Sequence, residues 1–116
     1  MPFRITVKSQ CVEPLERLQA NALTCAGFPR LPKQEPHGGK IAIVGGGPSV
    51  IPLLDELRAW EGEIWAINMT AAWLKERGIT AKFITVDPGL FKPHQVVGVE
   101  EAYLATACHP EVRNLF

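Results

Sequence analysis

The sequence has no charge excess of either sign, because 12 Lys and Arg residues balance 12 Asp and Glu. Nucleic-acid binding through bulk charge is disfavoured, since no surplus cation is left to neutralise phosphates. Cysteine is scarce, and Cys11, Cys25 and Cys108 lack metal-ligand spacing. Reduced thiols in a cytoplasmic protein are the expectation. A zinc site built from Cys108, His109 and either Cys11 or Cys25 is the alternative these residue types allow. Long apolar runs are also missing. The longest uncharged stretch, Ile41–Leu54, contains Gly45, Gly46, Gly47, Pro48 and Pro52. It falls short of the roughly 20 apolar residues of a spanning helix, so no membrane partner is expected. Arg4 and Lys8 interrupt any apolar core of a signal peptide at the N-terminus.

What is present describes one globular domain. The chain has 116 residues, 47% of them hydrophobic. A domain of this size buries roughly 65% of the surface its unfolded chain exposes. That apolar content and zero net charge exclude intrinsic disorder.

Residues 2–8 alternate strictly, with Phe3, Ile5 and Val7 on one face and Arg4, Thr6 and Lys8 on the other. This period predicts a strand with one wet face. A helix is expected from about Glu13 to Ala26, with Pro14 in its first turn, Gly27 as a left-handed cap and Pro29 blocking continuation. Residues 29–39 hold Pro29, Pro32, Pro36, Gly38 and Gly39, and predict a linker. The arm at residues 1–28 has too few apolar residues to fold alone, and is expected to pack on the main unit, residues 40–116, or on a partner.

The main unit alternates strand and helix. Ile41–Val44 is apolar without alternation, as in a strand buried on both faces. Val50–Trp60 predicts a helix whose stripe is Val50, Leu53, Leu54, Leu57 and Trp60. Ile64–Ile67, Phe83–Val86 and Tyr103–Ala107 predict three more strands. Ala71–Arg77 predicts a helix closed by Gly78. The fold class that follows is α/β, a Rossmann-like, mostly parallel sheet of about four strands in the default order 3-2-1-4.

Ligands in such sheets bind beyond the carboxyl ends of the strands, near the point where strand order reverses. Four segments fall there. Gly45, Gly46, Gly47, Pro48 and Ser49 follow the first strand. They allow close approach of a ligand, and Ser49 is a suitable N-cap for the next helix, whose amides form an anion site. Val50 occupies the third glycine position of a dinucleotide fingerprint, and no Walker A sequence follows. Asn68, with Thr70, follows the second strand. A neutral amide there argues against NAD, but suits a base or sugar, or an N-cap. Asp87, Pro88 and Gly89 follow the third strand and suit a type II turn. Functionally, Asp87 is a candidate for Mg²⁺ or a ribose, about 10 Å from the first strand at ~4.8 Å per strand. His109 follows the fourth strand, which in that order flanks the first, and could contact phosphate or act as an acid or base. Cys108 has no evident base to make it a nucleophile. His37 and His94 read as solvated. Trp60, Trp65 and Trp73 read as core or groove lining.

The run Ile41–Ser49, with Ala66–Asn68, Leu74–Ile79 and Phe83–Pro88, resembles the family of motility accessory factors and archaeal-type 6-hydroxymethylpterin diphosphokinases. The ending Tyr103–Val112 is similar to members from bacterial and phage genomes. The resemblance covers about residues 40–116. It implies a Rossmann-like domain handling a nucleotide or diphosphate. In the pterin branch that means diphosphate transfer from ATP with Mg²⁺, and in the motility branch a link to flagellin glycosylation. More distantly, Gly45, Gly47, Pro48, Ser49 and Asn68 are similar to a sialyltransferase frame, in which Gly46 and Asp87 replace asparagines. The catalytic histidine of those enzymes lies beyond the fourth strand, and this chain ends at Phe116. A truncated piece or a minimal member is the expectation. An open edge at the third or fourth strand is expected to be covered by the arm, a loop or a second copy, favouring a homo-oligomer.

The leading expectation is a nucleotide- or diphosphate-binding, transferase-type domain with phosphate at Gly45–Ser49. The alternatives are a glycosyltransferase-like domain, a non-catalytic interaction module retaining the fold, and a dehydrogenase fragment. No catalytic residue is assigned.

Overall fold

The computed structural model describes residues 14–25, 27–89 and 92–116. The strand expected at residues 2–8, Cys11, Glu13 and Ala26 lie outside the described residues. The first described element is α1, Leu15–Leu23, shorter than the expected helix.

The main unit contains β1 (Ile41–Val44), α2 (Leu54–Arg58), β2 (Glu63–Ile67), α3 (Thr70–Lys75), β3 (Lys82–Thr85) and β4 (Ala102–Leu104). Three 3-10 turns, Pro48–Leu53, Pro93–Val96 and Pro110–Leu115, complete it. The four strands form one all-parallel sheet, confirming a small α/β fold.

Its order is β1-β2-β3-β4, not 3-2-1-4. The reason lies in the connection after β3. Gln95 of the Pro93–Val96 turn donates to Met69 Sδ at 3.2 Å, beside α3, and Val96 is buried in the same cluster as Leu74 of α3. That connection therefore stays on the face that α3 already covers. β4 then adds to the far side of β3 instead of crossing to β1.

One consequence is a two-faced sheet. Ala42, Val44, Ile64, Ala66, Phe83 and Leu104 join Leu54, Leu57, Ala71, Leu74, Val96 and Val112 in a single core. Phe83 and Leu74 are fully buried, each worth about 1.5–3 kcal/mol. The opposite face carries Ile41, Ile43, Trp65, Lys82, Ile84 and Tyr103. There Trp65 stacks on Tyr103 across β3 with ring centroids 4.6 Å apart. Lys82 Nζ lies 3.2 Å from Glu63 and 3.4 Å from Glu101. Its partial burial opposes the charge, but these two carboxylates hold the ammonium above its ordinary pKa. β1 is thus an edge strand buried on one face, not on both as expected, and Ile41 and Ile43 are exposed.

α3 ends as its sequence predicts. Gly78 adopts φ +76°, while its N–H donates to Lys75 and that of Ile79 to Leu74. This is a Schellman motif, which favours glycine at the left-handed position. The arm's α1 docks on the segment after β4. Asn21 Nδ2 donates to the Ala107 carbonyl at 2.9 Å, and Arg113 bonds the last turn of α1 through Asn21, Thr24 and Cys25. Among the described residues, no helix is long and apolar enough to cross a membrane.

Candidate functional site

The glycine bend leaves the carboxyl end of β1, and each residue from Gly45 to Ser49 is exposed. None of the three glycines adopts a positive φ. Gly46 is instead confined by contact, since a Cβ there would stand 3.1 Å from Thr70 Oγ1. A Cβ on Gly45 would meet open space. Nor does Ser49 cap a helix. Gly47 is the N-cap residue, with φ −75° and ψ 157°, and Ser49 lies inside the Pro48–Leu53 turn. The expected Val50–Trp60 helix is split, with only Leu54–Arg58 being α-helical, because Pro52 interrupts it. The helix dipole at the bend is correspondingly weak.

The amides themselves remain available. Val50 N donates to the Gly47 carbonyl. Among the described residues, no hydrogen bond uses the N–H of Gly45, Gly46, Gly47 or Ser49. Four donors at the end of a parallel strand are therefore uncommitted among the described residues.

Beside the bend lies a cleft of about 400 Å³ lined by Gly46, Gly47, Pro48, Val50, Ile51, Met69, Thr70 and Trp73. Its walls are mainly apolar, with the Thr70 hydroxyl as a polar group. Asn68 immediately precedes this wall. Its backbone sits at φ 53°, a left-handed conformation that asparagine tolerates better than most residues. Its N–H donates to the Ile84 carbonyl at 3.2 Å, extending the β2–β3 ladder. Asn68 does not cap α3, whose N-cap residue is Met69. The Asn68 Oδ1 atom is buried and has no partner among the described residues.

Asp87 stands two strands from β1, at the end of β3, and is exposed. Its turn is not type II, because Gly89 lacks a positive φ. Asp87 Oδ1 instead accepts from Gly89 N at 2.7 Å, an Asx turn that leaves Oδ2 uncommitted. Among the described residues there is no cluster of three metal-ligating side chains, so Asp87 is not part of one.

His109 does not join this group. β4 lies three strands from β1, about 14 Å away at ~4.8 Å per strand. Its Nδ1 accepts from Glu111 N at 3.2 Å and caps the Pro110–Leu115 turn. Cys108 is buried, donates to the Thr85 carbonyl at 3.5 Å, and has its thiol pKa pushed up by burial. An unactivated buried thiol is a structural group, not a nucleophile.

Sequence reasoning missed Met69 and Gln95 at the cleft. Gln95 touches Met69, and its Oε1 accepts from Lys92 N at 2.6 Å, which brings the start of the Pro93–Val96 turn to this rim. No local pattern signals this contact, because it depends on where the β3–β4 connection packs. Arg113 is committed to the end of α1 and stacks over Phe28 at 4.8 Å. It lines a larger groove of about 800 Å³ beside β4 with Cys25, Phe28, Leu31 and Phe116. The smaller cleft is the better candidate, because Gly46 and Gly47 of the bend line it and Asn68 precedes its Met69 and Thr70 wall in the chain.

Comparison with known protein families, curated proteins and solved structures finds no match to the chain.

Proposed function

We propose that this chain binds a nucleotide or another diphosphate-bearing small molecule at the carboxyl rim of β1, β2 and β3, as a transferase-type nucleotide-binding domain. The observation that carries the proposal is the exposed Gly45–Ser49 bend with four uncommitted amides. Successive backbone N–H groups in a concave turn are an anion site even without a strong helix dipole.

The remaining parts follow from chemistry. The apolar cleft against Trp73 takes a ring. Asn68 Oδ1 accepts a hydroxyl or amine of the ligand, removing the cost of a buried acceptor without a donor. Asp87 Oδ2 serves a ribose hydroxyl or one position of a phosphate-bound Mg²⁺. The cleft lining contains no titratable side chain, so these residues bind and position, and no acid–base step is assigned to them.

Calorimetry with ATP, GTP, CTP and CMP, with and without Mg²⁺, tests this. At least one should bind in the micromolar range. Gly47→Val should abolish binding while leaving the fold intact, since a Cβ there meets only Ser49 Oγ at 3.8 Å. No binding below millimolar to any of the four would overturn the proposal.

A further inference from the structure

We infer that the groove beside β4 binds a small amphipathic carboxylate, with its apolar body on the groove walls and its carboxylate at Arg30 and Arg113. The groove shares no lining residue with the cleft at the glycine bend, so this site stands or falls apart from the nucleotide site.

α1 docks on the segment after β4 through Asn21, Thr24 and Cys25 without closing over β4. The groove left between them has a volume of about 800 Å³. That lies within the roughly 300–1,000 Å³ typical of small-molecule sites. Its apolar walls come from separate parts of the chain: Leu23 of α1, Phe28 and Leu31 of the segment that follows, Leu104 of β4, and Phe116. Leu23, Phe28 and Leu31 are 81%, 51% and 59% exposed. Single exposed hydrophobic residues are ordinary. Several around one concavity form the kind of apolar patch that marks a binding groove.

The charge of the groove has one sign. Arg30 and Arg113 line it, and no Asp or Glu does. Arg113 donates to the Asn21 and Thr24 carbonyls, to the Thr24 hydroxyl and to Cys25 Sγ. None of these partners is a carboxylate, so they occupy its donors without a fixed opposite charge. Arg30 is exposed and forms no ion pair among the described residues. Its guanidinium fork suits a carboxylate held by two parallel hydrogen bonds. Arg113 adds Coulomb attraction from the base of the same groove. An apolar body carrying one carboxylate matches both halves of this surface.

The site also couples to the arm. α1 supplies one wall, so the ligand binds only while α1 is docked. Ligand binding therefore stabilises the docked arm by mass action.

Calorimetry on the whole chain with decanoate, decanol and decylamine tests the charge match. Decanoate should bind in the micromolar range, decanol about tenfold more weakly, and decylamine more weakly still. Arg30→Glu should weaken decanoate about tenfold or more and leave decanol unchanged, with thermal melting unaltered because Arg30 is exposed. Leu31→Asp should weaken decanoate and decanol together. Saturating decanoate should slow amide exchange in Leu15–Leu23 and leave β1 unchanged. No decanoate binding below millimolar overturns the inference. So does equal binding of decanoate and decanol, or an Arg30→Glu variant that keeps its affinity for decanoate. Groove resonances that shift with protein concentration and not with decanoate assign the groove to a second copy and overturn it as well.

Discussion

Thr70 Oγ1 lies 3.1 Å from the point where a side chain on Gly46 would begin. Thr70 is buried at the start of α3 and has little room to give way. The bend after β1 is thus pressed against the helix after β2. Gly46→Ala should cost about 1 kcal/mol through this overpacking. Gly45→Ala meets open space without a positive φ and should be neutral or stabilise by about 0.5 kcal/mol. Urea unfolding of the two variants checks the contrast.

Arg113 ties the arm to the main unit by donating to the Asn21 and Thr24 carbonyls, from Nη2 to the first at 3.2 Å and from Nη1 to the second at 3.1 Å. Arg113→Ala should free α1 without unfolding the sheet. Amide exchange in Leu15–Leu23 should accelerate about tenfold or more, with β2 and β3 unchanged. Arg113→Lys should not restore protection, because a single ammonium cannot fork between these acceptors.

Burial pushes the Cys108 thiol above its ordinary pKa. The unfolded chain then releases this proton at lower pH than the native one. Above about pH 8.5 the native state holds more protons than the unfolded state, so stability falls as pH rises. Unfolding free energies measured between pH 7 and 10 should show this decline. Cys108→Ala should flatten it.

Phe83 is fully buried at the centre of the sheet and packs on the Phe116 ring at 5.3 Å. Phe83→Ala should cost about 3–5 kcal/mol. That is a large share of the 5–15 kcal/mol typical of a domain, and thermal melting should show a much lower midpoint.

Local signals were legible and neighbour choice was not. Ile41–Val44 reads from sequence as the strand it forms, and Gly78 as the left-handed stop it is. Both depend on a few adjacent residues. The position of β4 depends on Val96 and Gln95 reaching α3, a packing choice that no periodicity in the chain records. The same choice removed His109 from the glycine bend. The bend itself was found for a partly different reason: its glycines suggested room for a ligand to approach closely, whereas Gly46 is also favoured by the approach of Thr70. Asn68 was recognised by its place after β2, but its unpaired oxygen and left-handed backbone appear only in three dimensions.

The amides of Gly45, Gly46, Gly47 and Ser49 are the direct test of the anion site. Their proton and nitrogen resonances should be followed while CMP and ATP are added to isotope-labelled protein. The account predicts saturable shifts at these amides and at the Asn68 side chain, with the groove around Arg113 and Phe116 unmoved. Unchanged resonances at the glycine bend up to millimolar nucleotide, or shifts confined to the Arg113 groove, would contradict it.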